Sequence, residues 1–389
     1  MIEIYPDTKI YVACHANGSS GGPELLHQLA YSLRKYLGVD AYMYYYLDFV
    51  YEKFKSKIIN EYKAISNYQM YNVPYVFDIP PEDDNSKNIL IVPEGLYGLS
   101  YFKNIRKGVW FLSVDNYYIW KYYIENRINL LLYKSVNKIF KILFKKPLLN
   151  FDITSEEILK KLIELYDYKK DQSLRLADFY LFQSYYAIEH FKELNPKYYL
   201  SDYLNDDFLK TQTDLTKKEN IVVYNPNKGF AFTKKIIKKG KDVRFIPLIN
   251  MSRDMVIKTL QKAKVYIDFG NHPGKDRIPR EAAILGCCVI TGKRGSAAFF
   301  EDVPIPDEYK FEDREKNITK IVKKIKDCFE NFYECYKDFE YYRQVIRSEP
   351  QKFIEDLKKI FVKVEKWLKE RLRRQSENWG RKTKWKFQL

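Results

Sequence analysis

The sequence predicts an α/β protein built from two doubly wound units, and three observations lead there. Short, unbroken apolar runs alternate along the chain with segments of helical period. The runs lack the in-out alternation of a half-solvated strand, as expected of a parallel sheet covered on both faces. The alternation stops at a polar stretch, NDDFLKTQTDLTKKEN (205–220), and then restarts. A length of 389 residues also suggests about two cores.

Taken in order, KIYVAC (9–14) reads as a first buried strand and HANGSSGGPE as the turn after it. Leu25, Leu26, Leu29, Leu33 and Leu37 then set a helical period. VDAYMYYY (39–46), NILIVPE (88–94), GVWFLSVDN (108–116) and DFYLFQS (178–184) supply further strands. An insertion over roughly 120–175 interrupts them. It places Lys134, Lys138, Lys141 and Lys145 on one helical face, opposite Leu132, Val136, Ile139 and Leu143. Thr154 and Glu157 then have capping-box spacing ahead of a second helix. After the polar stretch come NIVVYNP (220–226), a helix near 229–239, VRFIPL (243–248), a helix near 252–263, KVYIDFG (264–270), a short helix after Pro279, and CVITG (288–292). The organisation expected is a first domain over 1–204, a linker over 205–219, a second domain over 220–312, and a helical region over 313–389 with a basic tail.

The net charge of +16 calls for an anionic partner: nucleotide, nucleic acid or anionic lipid. Residues 357–389 carry 12 Lys/Arg against 3 Asp/Glu, more than half of that excess. The five cysteines form no CxxC pair and no zinc-spaced cluster, which fits a reducing cytoplasm. MIEIYPDTKIYVAC has no charged leader ahead of an apolar core, so no signal peptide is expected. Ile128–Phe144 is the most membrane-like stretch, but three lysines interrupt it and argue against a span.

The chemistry gathers in loops that follow strands. In HPGKDRIPREAAILGCCVITG (272–292), Pro279 suits the first turn of a helix and Gly286 its end. Glu281 then falls in the first turn, and Lys275 and Arg277 lie just before it, where free amides favour an anion. Such a carboxylate could accept hydrogen bonds from ribose or sugar hydroxyls; a surface salt-bridge cluster is the plainer reading. NPNKGF (225–230) puts Lys228 and Gly229 at a second helix entry, and GKRGSAAFF (292–300) puts Arg294, Gly295 and Ser296 at a third. Three anion-friendly turns on one sheet edge favour a nucleotide site over three unrelated turns. The first glycine-rich loop has neither GxGxxG spacing nor GK[ST], yet Gly21 and Gly22 would let a phosphate or sugar approach closely.

GGPELLHQLAYSLR, YNPNKG and DRIPREAAILGCCVITG with GSAAFFEDV together resemble a GT-B-type nucleotide-sugar glycosyltransferase of the surface-polysaccharide kind. The resemblance covers most of the chain outside 120–175 and the tail. It implies two Rossmann-like domains facing a cleft, the C-terminal one holding a nucleotide-sugar and the N-terminal one receiving a glycan or lipid-linked acceptor. Glu281 matches the glutamate that holds the donor ribose in many retaining members. Those members carry a second glutamate eight positions earlier, where this chain has Pro273. His272 or Asp276 would take over the sugar contact, and the stereochemical course is left open. Donor domains of this type work without a bound metal or other cofactor, and Lys228, Arg277 and Lys275 or Arg294 would neutralise the departing diphosphate.

For catalysis the first half offers Asp115, Glu24 and His15. Asp115 as a general base would deprotonate an acceptor hydroxyl; its plainer reading is an Asx turn leaving a strand. His27 and His190 fall inside helices and read as structural or solvent-facing. A nucleotide-sugar epimerase on the same fold is an alternative, and so is a basic nucleic-acid-binding protein. No common nucleic-acid motif accompanies the basic tail, which is more simply an amphipathic contact with an anionic membrane surface. The expected location is cytoplasmic, at the inner face of the membrane.

Overall fold

A computed structural model describes residues 1–18, 21–47, 62–96, 98–126 and 156–364. The lysine-striped segment 128–145, Thr154 and the tail beyond 364 lie outside the described residues.

Fourteen strands are described. They are β1 Ile2–Ile4, β2 Lys9–His15, β3 Asp40–Tyr46, β4 Tyr75–Val76, β5 Ile89–Pro93, β6 Arg106–Phe111, β7 Phe179–Phe182, β8 Lys197–Tyr199, β9 Glu219–Tyr224, β10 Arg244–Pro247, β11 Ala263–Asp268, β12 Cys288–Gly292, β13 Lys310–Phe311 and β14 Phe361–Lys363. One sheet has the order β4-β3-β2-β5-β6-β7-β8, a second β10-β9-β11-β12-β13, and β1 pairs with β14 alone. Every pair in the second sheet is parallel. So are β2 with β3 and β5, β3 with β4, and β7 with β8.

Two compact units divide the chain. One is Met1–Val109, Arg175–Phe179 and Lys352–Leu389, the other Trp110–Leu174 and Tyr180–Gln351. In the first unit, β2 is almost wholly buried, and the helix Gly21–Leu37 covers it with Leu25, Leu26, Leu29, Leu33 and Leu37. In the second unit, Val222, Val223, Val265, Tyr266, Ile267, Val289 and Ile290 have no solvent exposure at the centre of the five-stranded sheet. These strands carry apolar residues on both faces because helices cover both, as the unbroken runs imply.

Residues 205–219 contain a helical turn at Asp206–Leu209 and a 3-10 turn at Leu215–Lys217. Lys218 closes the stretch. Its ammonium donates to the carbonyls of Leu260, Ala263 and Leu285 at 2.7–2.9 Å and satisfies acceptors that two helix ends leave over.

Four expectations need correcting. The strand read over 108–116 stops at Phe111, because Ser113 caps a helix over Val114–Glu125 with its side chain accepting from the Asn116 amide. Asp115 therefore stands in a helical first turn, not in an Asx turn. The helix read after Pro279 begins at Arg277, which puts Pro279 third and Glu281 in the second turn. Gly21 and Gly22 open a helix and are not loop residues. Phe361, read as helical, lies in β14, where the register pairs it with Ile2. All five cysteines are buried and free, and among the described residues no helix is long and apolar enough to cross a membrane.

Candidate nucleotide-sugar site at the second sheet

In the second sheet the chain leaves β9 for β10 on one side and reaches β11 on the other. The carboxyl ends of β9 and β11 thus form the switch point at which doubly wound sheets take their ligands. The loops after both strands interlock there. Gly229, at φ 58°, caps the helix Phe230–Lys239, and a Cβ on it would stand 2.3 Å from the Phe269 carbonyl oxygen. A Cβ on Gly270 would stand 2.3 Å from the Cβ of Lys228. Only glycine permits these backbones to approach so closely.

Side chains from these loops form a charged chain. Tyr266 donates to Asp268 at 2.8 Å, and the Gly270 amide donates to its other oxygen at 3.0 Å. Asp268 lies 3.5 Å from His272 Nε2, and Asp276 lies 3.4 Å from His272 Nδ1. Lys228 donates to Asp276 at 2.7 Å. Burial works against charge on His272, but Asp268 and Asp276 outweigh it and raise its pKa above the usual value. Burial likewise opposes charge on Asp268, and His272 and Lys228 more than offset it, lowering its pKa. Lys228 stays about a third exposed at its side chain; burial is again outweighed, and Asp276, Asp268 and Asp115 raise its pKa. The ligand atoms of Asp268, His272 and Asp276 lie within 4.8 Å of one another, close enough for a cation. The two carboxylates, however, address opposite ring nitrogens, which suits a doubly protonated imidazole.

Asp115 belongs to the same unit. Its Oδ2 accepts from Asn271 at 2.6 Å, while its Oδ1 is buried with no hydrogen-bond partner among the described residues. Burial pushes its pKa up to about 6, against the Asn271 hydrogen bond and the charge of Lys228. The Val114 amide donates to the Pro273 carbonyl at 2.7 Å, and a Cβ on Gly274 would lie 2.1 Å from the Leu112 carbonyl oxygen. The segment carrying Asp115 is thus seated against the loop after β11.

A second network fixes that loop from below. Arg280, with no exposure, donates to both oxygens of Asp202 at 2.9 and 2.7 Å and to Glu349 at 3.0 Å. Lys275 pairs with Glu349 at 2.7 Å, both about 5% exposed. Gln183 accepts from the Lys275 amide at 2.7 Å and donates to its carbonyl at 3.1 Å. The charges gathered in KDRIPRE therefore split by role. Lys275 and Arg280 face the interior, while Asp276 faces Lys228, and Arg277 lies 3.9 Å from Glu281 one turn on.

The third loop closes on the second. Gly295, at φ 55°, packs against the His272 carbonyl, and the Ser296 amide donates to that carbonyl at 2.8 Å. Ser296 Oγ donates to the Gly274 carbonyl at 2.6 Å. Arg294 pairs with Asp313. Ser296 is thus engaged in holding the loop, and Arg294 reaches a carboxylate.

The remaining candidates lie in the first unit. His15 ends β2, its Nδ1 accepting from the Asn17 amide. Glu24 is buried and accepts from Tyr71 at 3.1 Å. Gly21 and Gly22 begin the helix that carries it. His27 lies between the Pro23 carbonyl and the Tyr45 hydroxyl, 2.6 Å from each, and burial lowers its pKa to about 4.

Sequence reasoning missed Asp268, Asn271, Arg280, Asp202 and Glu349. Asp268 had a signal, a carboxylate closing an apolar strand in VYIDFG. Asp202 and Glu349 had none, since each is remote in sequence from the loop it holds.

No protein-family model and no curated protein sequence matches this chain. Solved structures do. HepE of Anabaena, in complex with UDP-glucose, superposes with a TM-score of 0.50 at 11% identity, covering 90% of this chain and 99% of that one. The lipopolysaccharide outer core galactosyltransferase WaaB, in its apo form, gives 0.50 at 9% identity, over 90% and 98%. TarM of S. aureus gives 0.43 at 14% identity over 71% of this chain and 55% of that one, so this chain spans about half of TarM's length. At these identities the likeness is one of fold, and the chain has the GT-B fold, built on two parallel α/β sheets.

Proposed function

We propose that this protein is a glycosyltransferase that moves a sugar from a nucleotide-sugar donor to a glycan or lipid-linked acceptor. The observation that carries the reading is the β9/β11 switch point, where Lys228 stands beside the glycine-capped entry of the helix Phe230–Lys239. A cation and a helix N-terminus together suit a diphosphate. HepE, of like fold, has UDP-glucose in its solved complex, and WaaB is named a galactosyltransferase, which supports the same ligand class here.

In this reading Lys228 and Arg277 meet the diphosphate and stabilise the charge that develops as it leaves. Glu281 accepts from the ribose hydroxyls. Asp115, with an oxygen that has no partner among the described residues and a pKa pushed up to about 6, takes a hydroxyl proton of substrate. Lys275 has no part in it, being committed to Glu349. The domain organisation, with 220–312 as the donor domain, is part of the proposal, as is a peripheral position on an anionic membrane surface suggested by the basic tail.

Calorimetric titration with UDP-, GDP-, CMP- and ADP-linked sugars tests the reading. One class should bind, and Lys228→Ala and Glu281→Gln should each weaken it roughly tenfold to a hundredfold, as expected for a lost charge-assisted hydrogen bond. Binding by none of the four classes would end the proposal.

A further inference from the structure

We infer that His272 is a positioning residue whose positive charge keeps Lys228 available to the donor diphosphate, so that donor affinity falls as His272 loses its proton. The inference rests on the donor site proposed above.

His272 is where the three loops cross. Its ring lies between Asp268, at the end of β11, and Asp276, at the entry of the next helix. Asp276 in turn holds Lys228 from the loop after β9. The His272 backbone carbonyl takes the Ser296 amide of the loop after β12. The ring has no solvent exposure, so it does not touch a donor and acts through Asp276 and Lys228.

The charges decide the sign. Asp268 and Asp276 flank the ring, with Asp115 nearby on the helix Val114–Glu125. Opposing them are Lys228 and, when protonated, His272. On the following helix Arg277 is matched by Glu281, and after β12 Arg294 is matched by Asp313. With a neutral ring, three carboxylates would face one ammonium at a site meant for a diphosphate. With an imidazolium, the excess falls to a single negative charge. Lys228 keeps its own proton throughout, because Asp276, Asp268 and Asp115 raise its pKa above the ordinary lysine value. Burial opposes the imidazolium and the two carboxylates outweigh it, so the change falls above the ordinary histidine range.

Nitrogen-15 spectra of the histidine rings provide the first readout, with the His272→Gln spectrum identifying the His272 signals among those of the four histidines. Both ring nitrogens of His272 should be protonated at pH 7; a neutral ring there would overturn the inference without touching the donor-site reading. The second readout is affinity for UDP-glucose and GDP-mannose, whose diphosphates do not titrate near neutrality. Wild-type affinity for the donor that binds should drop about tenfold between pH 6.5 and pH 9, an electrostatic effect of one charge at short range. His272→Gln should bind about tenfold more weakly at pH 6.5, with no further loss at pH 9. A purely structural role would lower the melting temperature of His272→Gln and leave its affinity and pH profile like the wild type, which would refute the inference. Failure of the wild type to bind these two donors and the CMP- and ADP-linked sugars as well would overturn it together with the reading it rests on.

Discussion

Replacing Asp115 with Asn should make the ligand-free protein more stable, and the pH dependence of that gain identifies its cause. Asp115 is only 7% exposed, and burial lifts its pKa from 3.8 to about 6. The folded protein therefore binds this proton more tightly than the unfolded chain does, and ionising the group costs folded-state stability. A shift of about 2 units corresponds to about 3 kcal/mol once the group is fully ionised. Asparagine resembles the protonated acid in shape and can still accept from Asn271. The variant should therefore gain about 2–3 kcal/mol above pH 7, roughly 2–4 °C in melting temperature for a chain of this size. The gain should shrink as pH falls from 6 toward 4 and vanish below the unfolded value, where both side chains are neutral. Thermal unfolding followed by circular dichroism at half-unit pH steps measures it. Equal melting temperatures at pH 8, or a difference that does not change with pH, would show that ionising Asp115 in the folded protein carries no such cost. A group held at such a cost is in keeping with a site kept for function.

Arg280→Met should destabilise the protein by about 3–5 kcal/mol in urea titrations, because Asp202 is left buried without its cation; a loss under 1 kcal/mol would contradict that network. Gly229→Ala forces a Cβ to within 2.3 Å of the Phe269 carbonyl oxygen. It should cost about 1–3 kcal/mol and weaken donor binding, and an unperturbed variant would mean that the two loops part easily. Vesicles containing anionic lipid should retain the full chain at low salt and release it at high salt, with truncation after 374 weakening the effect; equal binding to neutral vesicles would sink the membrane proposal.

The strands were legible because a parallel sheet covered on both faces demands unbroken apolar runs, which KIYVAC, NIVVYN and CVITG supply. β1 and β14 were not, since three-residue strands leave too few positions to set a period, and their pairing joins the two ends of the described chain. Lys228 and Gly229 sit at a helix entry as read, because the glycine at the end of an apolar run marks where strand gives way to helix. The division of labour within KDRIPRE was not legible. Whether Lys275 faces solvent or Glu349 depends on a residue 74 positions away, and local sequence carries no trace of that. Asp115 was misread because Ser113 caps a helix within three residues of the strand's end. Ser113 itself, a favoured N-cap residue just past the apolar run, could have flagged that cap.

Sugar transfer from a nucleotide donor releases the nucleotide, a diphosphate from UDP-, GDP- and ADP-linked sugars and a monophosphate from CMP-linked ones, and that release can be measured directly. The purified full chain would be incubated with UDP-, GDP-, CMP- and ADP-linked sugars, with and without simple glycoside acceptors, and the products separated by anion-exchange chromatography. One donor class should release its nucleotide, an acceptor should speed the release, and Lys228→Ala should slow it at least tenfold. No release from any donor, or release that Lys228→Ala leaves untouched, would contradict the proposed sugar transfer.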